Sequence, residues 1–284
     1  MRASDRPSGF TLIELSIVLV IIGLIVGGIL VGRDMIEAAK VRATIAQYEK
    51  YKTAVYTFKT KYNAIPGDLT TTDATAIGFA PTTRNGGADG TGTIIHGDGY
   101  IEVINNGVCV QPATCPLQIS YEGALFWQDL SSANLIDGSF NSATDANITP
   151  TAANVGNYLP QAKLGNNAYW LVWSMLGSPS VNGTAILPGN YFQLMGITPS
   201  GGTQFYAANA VTPIQAYNID TKIDDGFWST GIVRSSSDTS DPFFFAAYNG
   251  GWSNSGCLNA TAHNYAVDTN PNGLACQLSF KAGF

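Results

Sequence analysis

The stretch GFTLIELSIVLVIIGLIVGGILV, residues 9–31, decides how the N-terminal part of this 284-residue chain folds. Between Leu15 and Val31 it carries 17 residues without a charge. Counted from Phe10, the run reaches the roughly 20 apolar residues that a helix needs to cross a bilayer. A single carboxylate, Glu14, interrupts it. Because a charge near the middle of a bilayer helix costs about 2.5 to 3.5 kcal/mol, we expect Glu14 to have a partner or a function.

The polar leader, residues 1–9, ends in Gly9 directly before the apolar run, and no small-residue cleavage site follows the run. The sequence GFTLIELSIVLVIIGLI closely resembles the prepilin leader of type IV pilins and type II secretion pseudopilins. In that family a membrane peptidase cleaves after the glycine and methylates the new N-terminal residue. The resemblance therefore implies cleavage between Gly9 and Phe10, N-methylation of Phe10, and Glu14 as the fifth residue of the mature chain.

Cleavage would create a partner for Glu14. A free amine on Phe10 has a reference pKa of about 7.7 to 8 and is largely cationic at neutral pH. The amine of one helix can meet Glu14 of a neighbour when the two are displaced axially by about 6 Å, which is four residues at 1.5 Å each. The alternative is that Glu14 only interacts with the helix dipole, but the 0.3 to 1 kcal/mol typical of that interaction does not cover the burial cost.

The apolar helix is predicted to continue into an amphipathic one. Neither Pro nor Gly occurs from Arg33 to Tyr62, and Pro66-Gly67 then ends the pattern. We expect one stem helix over residues 10–62, with residues 10–31 in the membrane and the second half packed on a globular head. The apolar face of that second half consists of Ala38, Val41, Ile45, Tyr48, Val55 and Tyr62.

Glycines recur along the apolar half of the stem. Gly23, Gly27, Gly28 and Gly32 give two overlapping small-xxx-small patterns, which let helix backbones approach closely. This pattern is typical of helices that pack in a bundle.

The charges divide the chain into two regions. Residues 10–62 carry seven Lys or Arg and four Asp or Glu, a net charge of +3, whereas residues 63–284 carry five and fifteen, a net charge of −10. An acidic head argues against nucleic acid as a direct partner. The basic residues after the membrane segment would by themselves favour a cytoplasmic head, but long domains translocate largely regardless of charge.

The cysteines indicate an exported head. An even number of cysteines in a translocated domain favours disulfides, and of three possible connectivities the local one is the simplest. A zinc site is disfavoured, because neither pair has the spacing of two to four residues and the chain has only two His. A C-terminal disulfide loop also resembles the arrangement in many type IV pilins. The local pairs are Cys109 with Cys115, and Cys257 with Cys276.

The head, residues 63–284, is predicted to be one large domain, so that the fold class is α+β and pilin-like. Its aromatic and β-branched runs predict an antiparallel sheet packed on the stem. Helices are expected at Glu122–Leu135, and from a capping box at Thr212 up to Gly226. The predicted strands are Ala168–Ser174, Asn190–Ile197, Gly231–Ser235 and Pro242–Tyr248.

Three aspartates near the end of the second helix form a candidate cation site. Asp224 and Asp225 stand where the helix dipole disfavours them, and with Asp220 they offer the carboxylate oxygens that Ca²⁺ prefers. The alternative is that Asp224 and Asp225 cap the next turn and Asp220 pairs with Lys222 or solvent. A second acidic loop, residues 85–102, fails the EF-hand template, and the alternatives there are calcium binding and a plain Gly-rich loop.

Common catalytic motifs are absent from the sequence: it contains no G-x-S-x-G, HExxH, Walker or G-x-G-x-x-G pattern. The resemblance therefore implies a non-enzymatic pilin or pseudopilin that starts in the bacterial inner membrane, with its head outside the cytoplasm, and assembles into a surface or periplasmic filament. The resemblance implies a prepilin peptidase, an assembly ATPase and a platform protein as partners. A minor pilin or tip adhesin, a type II secretion pseudopilin and a membrane-tethered enzyme remain as alternatives.

Overall fold

The structure is a computed structural model. The residues that it describes are 11–79, 84, 97–101, 121–140, 154–175, 180–181, 184–185, 189–199, 205–228, 230–235, 256–259 and 264–284.

A single helix, α1, runs over Leu12–Tyr62 and is about 77 Å long. Thr11 caps its first turn, and Asn63 ends it in the left-handed conformation, with φ 53° and an N–H donated to Lys59 O. The continuous stem helix predicted from the lack of Pro and Gly is therefore confirmed. The helix begins at Leu12 rather than at the predicted residue 10, because Thr11 has the extended conformation of an N-cap. Phe10 itself lies outside the described residues.

The two halves of α1 have different surroundings. The first half is exposed on all sides, whereas the second half buries one stripe against the head. The predicted positions Val41, Tyr48 and Val55 are buried, but Ala38 is exposed, because the head begins to cover α1 only near Val41. The buried residues of α1 are Val41, Thr44, Tyr48, Tyr51, Ala54, Val55 and Phe58.

The other elements follow in chain order. The helices are α2 (Thr71–Ala76), α3 (Tyr121–Ser132) and α4 (Pro213–Ile223), with a 3₁₀ turn at Val155–Asn157. The strands are β1 (Ala168–Met175), β2 (Ser180–Val181), β3 (Thr184–Ala185), β4 (Gly189–Pro199), β5 (Phe205–Ala208), β6 (Val233–Ser235), β7 (Leu258–Asn259), β8 (Asn264–Tyr265) and β9 (Leu278–Lys281).

The main sheet is antiparallel and has the order β1-β4-β9-β6, with β5 also paired to β4. Strand β4 is its centre, since Leu194 pairs with Trp170 of β1 and with Leu278 of β9. The predicted α+β arrangement, a long helix followed by an antiparallel sheet, is confirmed. Short hairpins β2–β3 and β7–β8 lie outside this sheet.

The predicted strands and helices differ from the observed ones mainly in length. Helix α3 ends at Ser132 rather than Leu135, because Asn134 adopts the left-handed conformation with φ 56°. Helix α4 ends at Ile223 rather than Gly226, and only residues 233–235 of the third predicted strand pair in the sheet. The fourth predicted strand, Pro242–Tyr248, lies outside the described residues.

The stem is fixed to the sheet by an aromatic cluster around Tyr48. The Tyr48 ring lies 4.8 Å from that of Phe280, 5.7 Å from that of Phe192 and 6.2 Å from that of Trp170, measured between centroids. Such ring pairs contribute about 0.5 to 1.5 kcal/mol beyond the burial of their area. The sheet thus holds α1 at the middle of its covered half.

The Tyr48 hydroxyl has no hydrogen-bond partner among the described residues, although the side chain is buried. A buried hydroxyl without a partner costs about 1 to 3 kcal/mol. We expect Tyr48→Phe to keep the free energy of unfolding or raise it by about 1 kcal/mol, whereas Tyr48→Ala should lower it by about 3 to 5 kcal/mol. Denaturant unfolding of the detergent-solubilised chain, followed by tryptophan fluorescence, measures both. A clear loss in Tyr48→Phe would indicate a partner for the hydroxyl.

A buried ion pair holds the turn after the stem. Arg84 donates to Asp129 on α3 through Nη1 (2.8 Å) and Nη2 (2.6 Å), and both side chains are 1% exposed. The same carboxylate accepts the Gly67 N–H at 2.8 Å. Residue 84 and the turn that ends the stem are therefore both attached to one side chain of α3.

Candidate functional site

The exposed N-terminal end of α1 has a complete capping box. The Thr11 N–H and Oγ1 both donate to Glu14 Oε2, at 2.8 and 2.7 Å, and the Glu14 N–H donates back to Thr11 Oγ1 at 3.3 Å. Both of these hydrogen bonds to the Glu14 carboxylate use Oε2. Oε1 accepts no hydrogen bond from any described residue, so this oxygen is open to a neighbouring chain.

Thr11 is a residue that the sequence reasoning missed. The pattern Thr-x-x-Glu before an apolar run is the signal of a capping box, and it could have identified Thr11 as the local partner of Glu14. Gly9 and Phe10 lie outside the described residues, so cleavage between them and methylation of Phe10 stay predictions.

The apolar half of α1 is uncovered. Of the described residues, α1 alone forms a helix long and apolar enough to cross a membrane, and the apolar window of this helix has no part buried by the rest of the chain. Side chains from Leu12 to Ile36 are exposed, including Leu24 at 73% and Met35 at 69%. An apolar surface of this size needs either lipid or other helices around it.

The glycines of this half have open surroundings. An ideal Cβ built on Gly23, Gly27, Gly28 or Gly32 meets no atom within 4 Å. Packing within the described chain therefore does not require these four glycines.

The three predicted aspartates come together at the end of α4. One carboxylate oxygen of each lies within 4.8 Å of the others. Asp220 is fully buried, Asp224 is partly buried and Asp225 is exposed. Their spacing on and just beyond the last turn of α4 accounts for this convergence.

Each of the three carboxylates binds part of the chain nearby. Asp220 accepts from Gly226 N at 3.1 Å and from the Tyr265 hydroxyl at 2.8 Å. Asp225 accepts from Phe227 N at 2.8 Å and from Thr230 Oγ1 at 2.6 Å. Asp224 accepts from the N–H groups of Ile232 and Val233.

These contacts explain why carboxylates stand at the unfavourable end of a helix: they hold the loop between α4 and β6. The alternative, in which Asp224 and Asp225 cap the next turn, describes the hydrogen bonds of Asp225, whereas Asp224 binds the backbone at the start of β6. Asp220 pairs with Tyr265 rather than with Lys222, whose Nζ donates to Asn218 O at 3.4 Å. Calcium binding by the three aspartates stays a prediction.

The surroundings shift the pKa values of Asp220 and Asp225 in opposite directions. Burial raises the pKa of Asp220 to about 6, against the hydrogen bonds from Tyr265 and Gly226, and the charges of Asp225 and Asp224 raise it further. The hydrogen bonds from Thr230 and Phe227 lower the pKa of Asp225. Tyr265, the buried partner of Asp220, was not found from the sequence, because it lies 45 residues away along the chain.

Asp220 is expected to make folding stability depend on pH. The pKa in the folded state, about 6, exceeds the ordinary value for Asp of about 3.9. Its stabilising contribution is therefore complete below about pH 4 and is lost as the pH rises through 6. Relative to Asp220→Asn, the wild type should gain about 1 to 3 kcal/mol between pH 7 and pH 4. Denaturant unfolding at both pH values, with a chelator present, measures the difference.

The matched control for this variant is Asp268→Asn, which changes an exposed aspartate of the head. Asn can keep the geometry at position 220, since its Oδ1 accepts from Gly226 N and its Nδ2 can donate to the Tyr265 oxygen. Equal pH dependence in the wild type and in Asp220→Asn would contradict the role given to Asp220.

A hydrogen bond attaches α4 to the stem. Gln215 Nε2 donates to Glu37 Oε2 at 2.9 Å, and Gln215 also completes the predicted capping box with Thr212. Glu37 pairs in turn with Lys40 at 2.7 Å. The N-terminal end of α4 therefore lies at the level of Glu37, just beyond the uncovered half of α1.

The C-terminal cysteines, Cys257 and Cys276, form a disulfide with a Cα–Cα distance of 5.0 Å. It closes a loop of about 20 residues, for which the chain-entropy estimate is about 3 kcal/mol of stabilisation. Val211 N donates to Cys276 O at 3.2 Å and Cys276 N donates to Val211 O at 2.9 Å, so the bridge also fixes the start of α4. Cys109 and Cys115 lie outside the described residues, and their pairing stays a prediction.

Comparison with known families gave one match. Residues 5–30 match the family model described as the prokaryotic N-terminal methylation motif. The match covers the end of the leader, Glu14 and most of the apolar run. Neither the curated proteins nor the solved structures that were compared include a match to the chain.

Proposed function

Since residues 5–30 carry the signature of type IV pilins and pseudopilins, we propose that this chain is a structural subunit that packs by its stem into a type IV pilus-like filament. The single observation that carries the proposal is the uncovered apolar half of α1, with one carboxylate near its end. Prepilin peptidase would first cut between Gly9 and Phe10 and methylate Phe10. The signature supports a structural role rather than catalysis.

The uncovered helix suits two successive environments. Before assembly its apolar side chains are covered by lipid, in a single-pass anchor of the bacterial inner membrane. After assembly they are covered by the stems of neighbouring copies, with the heads on the outside. Both environments remove the same surface from water, so moving from one to the other does not require the head to refold.

Glu14 gives the bundle a defined register. The ammonium of Phe10 in one copy would meet Glu14 of a neighbour displaced by about 6 Å along the axis. The capping box leaves Oε1 open for that contact while Thr11 occupies Oε2. An ion pair in a low-dielectric bundle is favourable only when both charges are already committed there, as they would be in these helices.

The four glycines support close packing of the stems. Each costs about 1 kcal/mol relative to Ala in a helix, and packing within the described chain gives no reason for them. Small residues let helix backbones approach closely in a bundle. Their placement between Gly23 and Gly32 puts the closest approach in the half that the head leaves uncovered.

An assembly ATPase and a membrane platform protein are the partners that the proposed function implies. A pilus, a type II secretion pseudopilus and a minor tip subunit would share this stem. These three cases differ in where the filament is found and in how many copies of this chain the filament contains.

Electron microscopy of sheared surface material, with the proteins identified by mass spectrometry, tests the proposal. We expect filaments that contain this chain beginning at N-methylated Phe10. A main component indicates a major pilin, and a substoichiometric one indicates a minor subunit. Processed chain that is found only in the membrane, with no surface or periplasmic filament, would contradict the proposed function.

A further inference from the structure

The first turn of α4 is the part of the head that the structure places nearest to the apolar half of the stem. Gln215 Nε2 on this turn donates to Glu37 Oε2 at 2.9 Å. Every side chain of α1 from Leu12 to Ala39 is exposed, and the head begins to bury the stem only at Val41. The first turn of α4 therefore forms the end of the head that faces the apolar run.

A second segment of the head, residues 271–275, lies against this turn. Ala275 N donates to Val211 O at 3.2 Å, just before α4 begins. Ile214 N, on the first turn itself, lies 3.5 Å from Pro271 O. The two contacts place both ends of the segment beside the start of α4.

Two large apolar side chains at this end of the head are exposed. Ile214 directly precedes Gln215 and is 41% exposed, and Leu274 directly precedes Ala275 and is 50% exposed. We call Ile214 and Leu274 the apolar pair. Ile214 lies at the level of Glu37, and Leu274 belongs to the segment beside it.

The stem changes from apolar to charged just before this level. The first charged residue after Glu14 is Arg33, four residues before Glu37. Arg33 therefore shares a face of α1 with Glu37 and lies about 6 Å nearer to the apolar run. One headgroup layer of a bilayer is roughly 5 to 8 Å thick. With the apolar run in the hydrocarbon core, lipid headgroups would surround the stem from Arg33 to about Glu37.

The charges of the stem at this level suit phospholipid headgroups. Arg33 is exposed and forms no salt bridge within the part of the chain that the structure describes. A guanidinium can bind a phosphate through two parallel hydrogen bonds. Asp34 is exposed beside it, and residues 33–42 together have a net charge of +1. A surface with so small a net charge depends mainly on its apolar side chains for contact with lipid.

We propose that the head rests on the headgroup layer of the membrane that holds its stem, with the apolar pair in that layer and Arg33 bound to lipid phosphate. Lipid is the occupant because the apolar pair continues, at the level of Glu37, the uncovered surface of a stem that is itself in lipid. This inference rests on the membrane-anchored stage of the proposed function. It gives the stored subunit a fixed orientation of its head, and assembly into a filament would have to release the contact.

Depth-dependent fluorescence quenching of the full chain in vesicles tests the contact. Ile214→Cys and Leu274→Cys are each labelled with an environment-sensitive dye and reconstituted with phosphatidylcholine and phosphatidylglycerol. A lipid spin-labelled near its headgroup should remove at least about half of the emission, since apolar side chains at an interface lie about 5 to 10 Å deep in it. The labelled wild type gives the background.

The matched control is Tyr56→Cys, labelled in the same way. Tyr56 is 40% exposed and lies about 28 Å further along α1 than Glu37. Its dye should therefore keep its emission. Equal quenching at position 56 and at the apolar pair, or none at either member of the pair, would overturn the contact and leave the filament function intact.

A substitution shows whether the apolar pair holds the head on the lipid. Ile214→Asp should reduce the quenching of a dye at position 274 at least about twofold, because a carboxylate resists transfer out of water. Tyr56→Asp changes an exposed aromatic residue outside the proposed contact and should leave that quenching unchanged. The same quenching in Ile214→Asp as in its parent would overturn the role of the pair.

A dye at Leu30→Cys reports on the anchor separately. Leu30 is 57% exposed and lies in the apolar run, so a lipid spin-labelled on its acyl chain should quench this dye. Quenching at position 30 without quenching at the apolar pair counts against the head contact alone. A dye at position 30 that is not quenched would overturn the membrane anchor, and with it this inference and that stage of the proposed function.

Discussion

Replacing Glu14 by alanine is expected to abolish filaments while the chain remains in the membrane. The substitution removes a charge from the apolar run, where a charge opposes insertion, so insertion should be at least as favourable as in the wild type. It also removes the group that the Phe10 amine of a neighbour would meet. Membrane fractionation reports insertion, and electron microscopy of sheared material reports assembly.

Two further variants separate the charge of Glu14 from its role as a cap. Glu14→Gln keeps a side chain that can complete the capping box with Thr11 but loses the charge. Thr11→Ala keeps the charge and loses the cap. If the ion pair sets the register, Glu14→Gln forms no filaments and Thr11→Ala forms them. Normal filaments from Glu14→Ala would remove the basis for the Phe10–Glu14 pair altogether.

A large loss of folding stability is expected from the removal of Asp129. Asp129→Ala leaves the Arg84 guanidinium buried without its carboxylate and takes away the acceptor of the Gly67 N–H. Breaking a buried pair by removing one partner costs about 3 to 5 kcal/mol. We expect a loss of that size in the free energy of unfolding, measured by denaturant titration of the detergent-solubilised chain.

The comparison variant is Asp137→Ala, which removes the partner of Lys50 from an ion pair whose aspartate side chain is 94% exposed. Surface pairs of this kind contribute little, so its unfolding curve should stay close to that of the wild type. Replacing Arg84 and Asp129 together by Met and Leu should recover much of the stability, because neither charge of this pair is then left buried without its partner. Similar unfolding curves for Asp129→Ala and Asp137→Ala would be incompatible with a buried, tightly paired Asp129.

Local signals made two helices predictable from the sequence. The absence of Pro and Gly between Arg33 and Tyr62 was enough to predict that α1 continues without a break to Tyr62. The run Thr212-Pro213-Ile214-Gln215 sufficed for the start of α4, since capping depends on residues within one turn. The same kind of signal was present at Thr11 and Glu14, where it identifies the local partner of the carboxylate.

Features that depend on distant residues were not predictable in this way. Strand β9, Leu278–Lys281, has four residues and is defined by its pairing with β4 and β6 rather than by its own pattern. The partner of Asp220 is Tyr265, and that of Asp129 is Arg84, each more than 40 residues away. The convergence of the three aspartates could be foreseen, because all three lie within six consecutive positions. The role of these aspartates in holding the loop before β6 could not be foreseen, because it depends on the folded path of that loop.

The attachment of α4 at Glu37 also sets the clearance between the head and a membrane. Glu37 lies 26 residues beyond Thr11, or about 39 Å along a straight helix. A bilayer has a hydrocarbon core of about 30 Å and one headgroup layer of roughly 5 to 8 Å on each side. With Thr11 at one edge of the core, the lowest attachment of the head therefore comes just beyond the opposite headgroups. In such an anchored chain the uncovered helix would act as a spacer matched to the bilayer, and the head would stand at the membrane surface instead of being pressed into it.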